Sequence, residues 1–180
     1  MANKSIQNRP RTAARFFFGH PGAAADAGRY EMKKTIIREI KECELNKLLE
    51  LYQYLHESDE QLPEEHEIEN VWMQIQSDKN IKYFGVFNEE ELISSCTIIL
   101  VPNLSRSCRP YGVIENVVTH PMQRNNGFGK KTLKTAIDYA WENNCYKVML
   151  MTGRLNESTF RFYESVGFNR HSKQAFVIKK

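Results

Sequence analysis

The spacing of apolar residues along this chain switches between two and three to four, and each switch marks the edge of an element. Thr35 to Ile40 is a short β-branched run that predicts a strand. Leu45, Leu48, Leu49, Tyr52 and Leu55 then recur at helical spacing, and an acidic loop from His56 to Glu69, broken by Pro63, leads into a second helix around Ile68 to Gln76. Ile81 to Phe87 and Leu92 to Val101 read as strands joined by a hairpin through Asn88, Glu89, Glu90 and Glu91. Pro102 to Pro110 is a turn-rich connection whose Arg106 and Arg109 are candidates for an anionic substrate group. Val113, Ile114, Val117 and Val118 then give a largely buried strand, which Pro121 stops for want of a backbone donor. Leu133, Ala136, Ile137, Ala140 and Trp141 return to helical spacing, predicting a helix from Gly129 to Glu142 with those residues toward the core. Lys147 to Met151 is the next strand, a short helix capped by Asn156 or Ser158 ends at Gly167, and Gln174 to Ile178 is the last strand. Strands and helices alternating in this order make an α/β domain with a mixed sheet.

Composition separates the first thirty residues from the rest. They hold seven alanines against three afterwards, and five basic residues against one acidic, leaving 20 basic and 21 acidic residues beyond them. The net charge of +3 is therefore no sign of a nucleic-acid surface on the domain. Phe16, Phe17 and Phe18 are too short a run for a signal core or a membrane span. Residues 1–31 are accordingly read as an extension and 32–180 as one domain, with no nucleic-acid or membrane partner and a cytoplasmic location. Cys43, Cys96, Cys108 and Cys145 have no paired spacing and His120 has no partner at a metal-ligand interval, so no metal is expected and the thiols are read as reduced and mostly buried.

Candidate chemistry begins between the central strand and its following helix. In Arg124, Asn125, Asn126, Gly127, Phe128, Gly129 and Lys130, glycine and asparagine permit left-handed backbone and close approach, so successive amides converge at the positive end of a helix dipole. With Arg124 and Lys130 adding full charges, a phosphate or pyrophosphate is the expected guest. A nucleotide-triphosphate loop is excluded because Arg124 and Lys131 stand where it needs glycine and Ser or Thr. The dinucleotide fingerprint fails for lack of a third glycine. One strand earlier, Glu115 is a carboxylate within an apolar run, where desolvation raises its pKa and suits it to general-base work.

The pattern that fits is Arg/Gln-x-x-Gly-x-Gly/Ala following a strand that ends Val-x-x-Pro, and in it the chain resembles the GNAT superfamily of acyl-CoA-dependent N-acyltransferases, with Asn125 where the family usually has glycine. A second signature, Asn156 to Phe168 with Phe162-Tyr163 and Gly167-Phe168, supports the same resemblance, which runs through 32–180. It implies a mixed, mostly antiparallel central sheet with helices on both faces, splayed at the central strand. It further implies that acetyl-CoA is the acyl donor, with its pyrophosphate on the backbone of Arg124 to Lys130 and its pantetheine arm on Asn116, Val117 and Val118. Asn156 would hydrogen-bond the arm, Glu115 would take the amine proton, the Val118 N–H would steady the oxyanion and Tyr163 would protonate the departing thiolate.

The expectation is thus an N-acetyltransferase acting by direct attack on acetyl-CoA. Ile114 to Val118 together with Asn144, Cys145, Tyr146 and Lys147 also resemble glucosamine-phosphate acetyltransferases and related small-amine enzymes, which favours a small-molecule amine over a protein lysine or N-terminus. A homodimer is common in the family. A non-catalytic acyl-CoA-binding module, or an interaction domain of the same shape, would share these motifs.

Overall fold

The structure is a computed structural model that describes residues 35–56 and 61–180. The expected extension 1–31 lies outside the described residues. Among the described residues five strands form one sheet in chain order. β1 (Thr35–Glu39), β2 (Ile81–Asn88), β3 (Glu91–Val101) and β4 (Tyr111–Thr119) pair antiparallel in succession, and β5 (Val148–Leu150) joins β4 in parallel. The β2–β3 turn is tighter than expected, with Glu89 at a φ of 54° in the left-handed region that a two-residue hairpin asks for.

Helices cover both faces. α1 (Leu45–Tyr52) and α2 (Glu65–Ser77) press Leu48, Leu51 and Trp72 onto Tyr83, Phe87, Leu92 and Val118. A four-residue turn, α3 (Ser105–Cys108), precedes β4, and α4 (Phe128–Glu142) buries Leu133, Ala136 and Ala140 against Cys96, Ile98 and Ile114 on the other face. The alternation is that of a sheet buried on both sides: along β3, Ser95 and Thr97 point opposite to Ser94, Cys96 and Ile98, while Ile93, the extra residue where the register with β2 slips, packs with Val86 and Phe128. α5 (Glu157–Glu164) closes the chain's regular structure.

Two expectations fail here for physical reasons. Trp141 is 50% exposed, because the buried stripe of α4 runs through Phe128, Thr132, Leu133, Ala136 and Ala140 and leaves Trp141 one position off it. Gln174 to Ile178 is not a strand, and Phe176, Val177 and Ile178 stand largely exposed. Its sequence has strand propensity, but a strand forms only where a neighbour takes its backbone hydrogen bonds, and no described strand pairs with it.

Candidate active site

The sheet comes apart where the chemistry was expected. β4 and β5 pair only from Gly112 to Ile114 and from Val148 to Leu150, so from Glu115 onward β4 has lost its neighbour on that side. On its other side the register with β3 slips by one: Thr97 faces Glu115 and Ser95 faces Val118, leaving Asn116 and Val117 opposite the single residue Cys96. This is a β-bulge, and Asn116 takes up the extra residue at a φ of 53°. A bulge on the central strand turns its backbone groups out of the ladder, toward whatever enters the gap.

That gap opens into a cavity of about 790 Å³. Glu115, Asn116, Val117 and Val118 line it from β4, Arg124, Asn125, Gly127, Phe128, Gly129 and Lys130 from the turn and first helical residues after it, and Tyr163 from α5. Asn126 and Asn156 are not on the lining. The Asn156 side chain caps α5 instead, accepting from the Thr159 amide at 2.9 Å and from the Ser158 hydroxyl at 2.7 Å. Arg106 and Arg109 stay outside as well: Arg109 donates to the Asn144 and Cys145 carbonyls and so pins the α4–β5 connection.

The turn into α4 runs through left-handed backbone. Asn125 and Gly127 have φ of 65° and 79°, and a Cβ on Gly127 would meet nothing within 4 Å, so the glycine serves conformation and not space. The first intrahelical bond runs from the Lys131 amide to the Gly127 carbonyl at 3.1 Å. The amides of Phe128, Gly129 and Lys130 precede it and so have no acceptor within the helix, and all three residues line the cavity. Beneath them a buried hydroxyl chain fixes the floor: Thr132 donates to Ser94 at 3.0 Å, and Ser94 lies 3.0 Å from the Val118 carbonyl and 2.8 Å from the Thr119 hydroxyl.

Glu115 is half-buried, and burial pushes its carboxyl above the ordinary carboxylate range. Tyr163 is raised too, first by burial, against which Arg154 pulls downward while the nearby Glu115 charge adds a further upward push. A carboxyl and a phenol, both biased by burial toward the protonated form, thus share the same cavity.

Sequence reasoning missed the opposite rim. Tyr54, Leu55 and His56 follow α1, Met151 to Arg154 follow β5, and both segments line the cavity. Arg154 ties them by donating to the Leu55 carbonyl at 3.1 Å across 99 positions of sequence. No local pattern could have found that pair. Among the described residues no three His, Cys, Asp or Glu side chains group as metal ligands, and no helix is long and apolar enough to cross a membrane. Cys96 and Cys145 are buried but Cys43 and Cys108 are exposed, so the thiols divide evenly.

Comparison with known proteins gives the arrangement a context. Residues 48–168 match the profile described as the Acetyltransferase (GNAT) family. A glucosamine 6-phosphate N-acetyltransferase of Trypanosoma brucei brucei is 32% identical over 83 residues, which are 46% of this chain and 54% of that protein. One of the same name from Schizosaccharomyces pombe is 33% identical over 79 residues, 44% of this chain and 68% of that protein. The match therefore spans only about half of the trypanosome relative. A solved structure from Agrobacterium tumefaciens str. C58, described as an acetyltransferase, superposes with a TM-score of 0.76 and 37% identity, covering 81% of this chain and 99% of that one.

Proposed function

The chain belongs to the acetyltransferase (GNAT) family, and we propose that it transfers an acetyl group from acetyl-CoA to the primary amine of a small-molecule acceptor, by direct attack with both substrates bound. The observation that carries this reading is that half-buried Glu115, Tyr163 and the open amides at the start of α4 all border one cavity. The amides of Phe128, Gly129 and Lys130, with Arg124, fit a pyrophosphate, and the bulged backbone at Asn116 to Val118 fits an amide-bearing arm laid alongside it. Acetyl-CoA would supply an activated thioester there.

In this reading the chain's own groups move the protons. The Glu115 carboxylate takes one from the acceptor nitrogen, so that its lone pair attacks the acyl carbon. The Val118 N–H donates to the carbonyl oxygen as negative charge gathers on it, and the Tyr163 hydroxyl returns a proton to the departing sulfur. Asn156 serves the coenzyme arm by shaping the start of α5. The relatives named as glucosamine 6-phosphate N-acetyltransferases favour an amino sugar phosphate as acceptor, and Arg154 supplies a cation beside Glu115 and Tyr163 that suits its phosphate. Residues 32–180 would form the catalytic domain with 1–31 appended. The protein would be cytoplasmic and a homodimer, and the exposed apolar side chains of Phe176 to Ile178 favour the second of these.

Calorimetric titration of acetyl-CoA and free CoA, followed by thiol release with glucosamine 6-phosphate, tests the proposal. Binding in the micromolar range, about −8 kcal/mol, that is lost in Gly127→Glu is the expected result. A folded protein that binds neither form of the coenzyme would overturn it.

A further inference from the structure

The hydroxyl chain under the turn into α4 has one end inside the protein and the other on the cavity. Ser94 and Thr132 are each 0% exposed, and neither is on the cavity lining. Thr119, the last residue of β4, is half-buried and does line it, together with Arg124, Phe128, Gly129 and Lys130. The Thr132 hydroxyl lies 3.0 Å from Ser94 Oγ and 3.0 Å from the Phe128 carbonyl. Ser94 Oγ in turn lies 3.0 Å from the Val118 carbonyl and 2.8 Å from Thr119 Oγ1, a contact in which either hydroxyl can donate. Thr119 Oγ1 is 3.2 Å from the place a Cβ would take on Gly129, which sets it beside the first amides of α4.

Four contacts join these groups, but three hydroxyls hold only three protons. Carbonyl oxygens only accept, so the proton Ser94 gives to Val118 cannot also go to Thr119. The Phe128 carbonyl has the backbone amide four residues on in α4, which frees the Thr132 hydroxyl to donate to Ser94. With no acceptor in the cavity, Thr119 donates to Ser94 and Ser94 to the Val118 carbonyl. An anion beside Thr119 draws its proton outward. Ser94 then donates to Thr119 and Thr132 to Ser94, so all three hydroxyls point one way and each strengthens the next.

We propose that Thr119 is a coenzyme-binding residue whose hydroxyl donates to the pyrophosphate at the start of α4, with Ser94 and Thr132 as positioning residues that orient it. This rests on the acetyl-CoA reading of the cavity and deepens it, because the anion is then held by a side chain as well as by the backbone. The reorientation also releases the Val118 carbonyl from Ser94, so occupancy of the anion site is felt at the end of the central strand.

Calorimetric titration of free CoA into the full chain tests this. Thr119→Val is expected to weaken binding by roughly tenfold, while Thr119→Ser, which keeps the hydroxyl, binds as wild type does. Inorganic pyrophosphate should displace CoA from wild type more readily than from Thr119→Val. Thr132→Val, wholly buried and off the lining, should weaken CoA binding by roughly twofold in the wild-type background and leave it unchanged in the Thr119→Val background, because the effect passes through the Thr119 hydroxyl. Melting each variant without ligand separates lost binding from lost folding. A Thr119→Val protein that melts cooperatively and binds CoA as wild type does overturns the proposal. Equal displacement by pyrophosphate in the two proteins overturns the assignment to the anion, and a Thr132→Val loss that persists in the Thr119→Val background overturns the hydroxyl chain. Folded wild-type protein that binds no CoA would instead remove the acetyl-CoA reading itself.

Discussion

A Cβ placed on Gly129 would stand 3.0 Å from Cζ of Phe162, with the Thr119 hydroxyl 3.2 Å away on the same side. The first turn of α4 and the middle of α5 thus meet at a glycine, and the contact brings the turn from Arg124 to Lys130 and Tyr163, the next residue after Phe162, to one cavity.

Gly129→Ala is therefore expected to destabilise the fold by about 1–3 kcal/mol and to weaken acetyl-CoA binding, as Phe162 is pushed back and the turn tilts. Gly127→Asn is the control. Its site is open and left-handed, a conformation asparagine accepts, so stability should change by less than about 1 kcal/mol. Denaturant unfolding and calorimetry on the two variants separate the effects.

Glu115→Gln should lower kcat by about 10²- to 10⁴-fold and leave acetyl-CoA affinity unchanged. Because burial raises the folded-state pKa, the acidic limb of the wild-type kcat profile should lie above the ordinary carboxylate range. Stability carries the matching sign. The folded state favours the protonated carboxyl, so the stability this group contributes is present below its unfolded value and lost as pH rises through the raised folded value. Glu115→Gln removes that loss. The variant should melt at or above wild type at neutral pH while being nearly inactive.

Tyr163→Phe should reduce kcat with little change in the KM for acetyl-CoA, and the loss should shrink for acyl donors whose thiol is more acidic, since a good leaving group needs no proton. Burial holds the phenol protonated, so wild-type activity should show no loss from Tyr163 ionisation at neutral pH. Equal losses for good and poor leaving groups would remove Tyr163 from the role of acid.

Far from the cavity, Arg38 grips Glu44 through two bonds of 2.7 and 2.8 Å, and the Lys41 amide adds a third at 2.9 Å. The Arg38 hydrogen bond leads in holding the Glu44 carboxyl down at about 2. The stability it contributes is present above the unfolded value near 4.5 and lost as pH falls from there toward about 2. Glu44→Gln should cost about 2 kcal/mol at pH 7, and its melting temperature should converge with wild type only as pH falls to about 2 and below.

Much of the site lies in short stretches of chain. The turn from Arg124 to Lys130 was legible because its chemistry is local: glycine and asparagine take positive φ, and the amides that open a helix point outward whatever surrounds them. Glu115 was legible because a carboxyl in an apolar run is costly. Asn156 was legible as a helix cap but is not on the cavity lining, since its side chain is spent on Thr159 and Ser158.

By itself the sequence determined the periods, and with them nearly every strand and helix, because the alternation of apolar residues answers directly to the geometry of the backbone. It also determined the family, through two motifs whose roles depend on near neighbours. Tertiary structure alone decided which residues meet across the sheet. The slip that sets Thr97 against Glu115 and Ser95 against Val118, the tie from Arg154 to the Leu55 carbonyl, the pinning of the α4–β5 connection by Arg109 and the unpaired state of Gln174 to Ile178 all rest on contacts between distant positions. Register, closure and strand pairing are properties of two segments at once, and neither segment carries them alone.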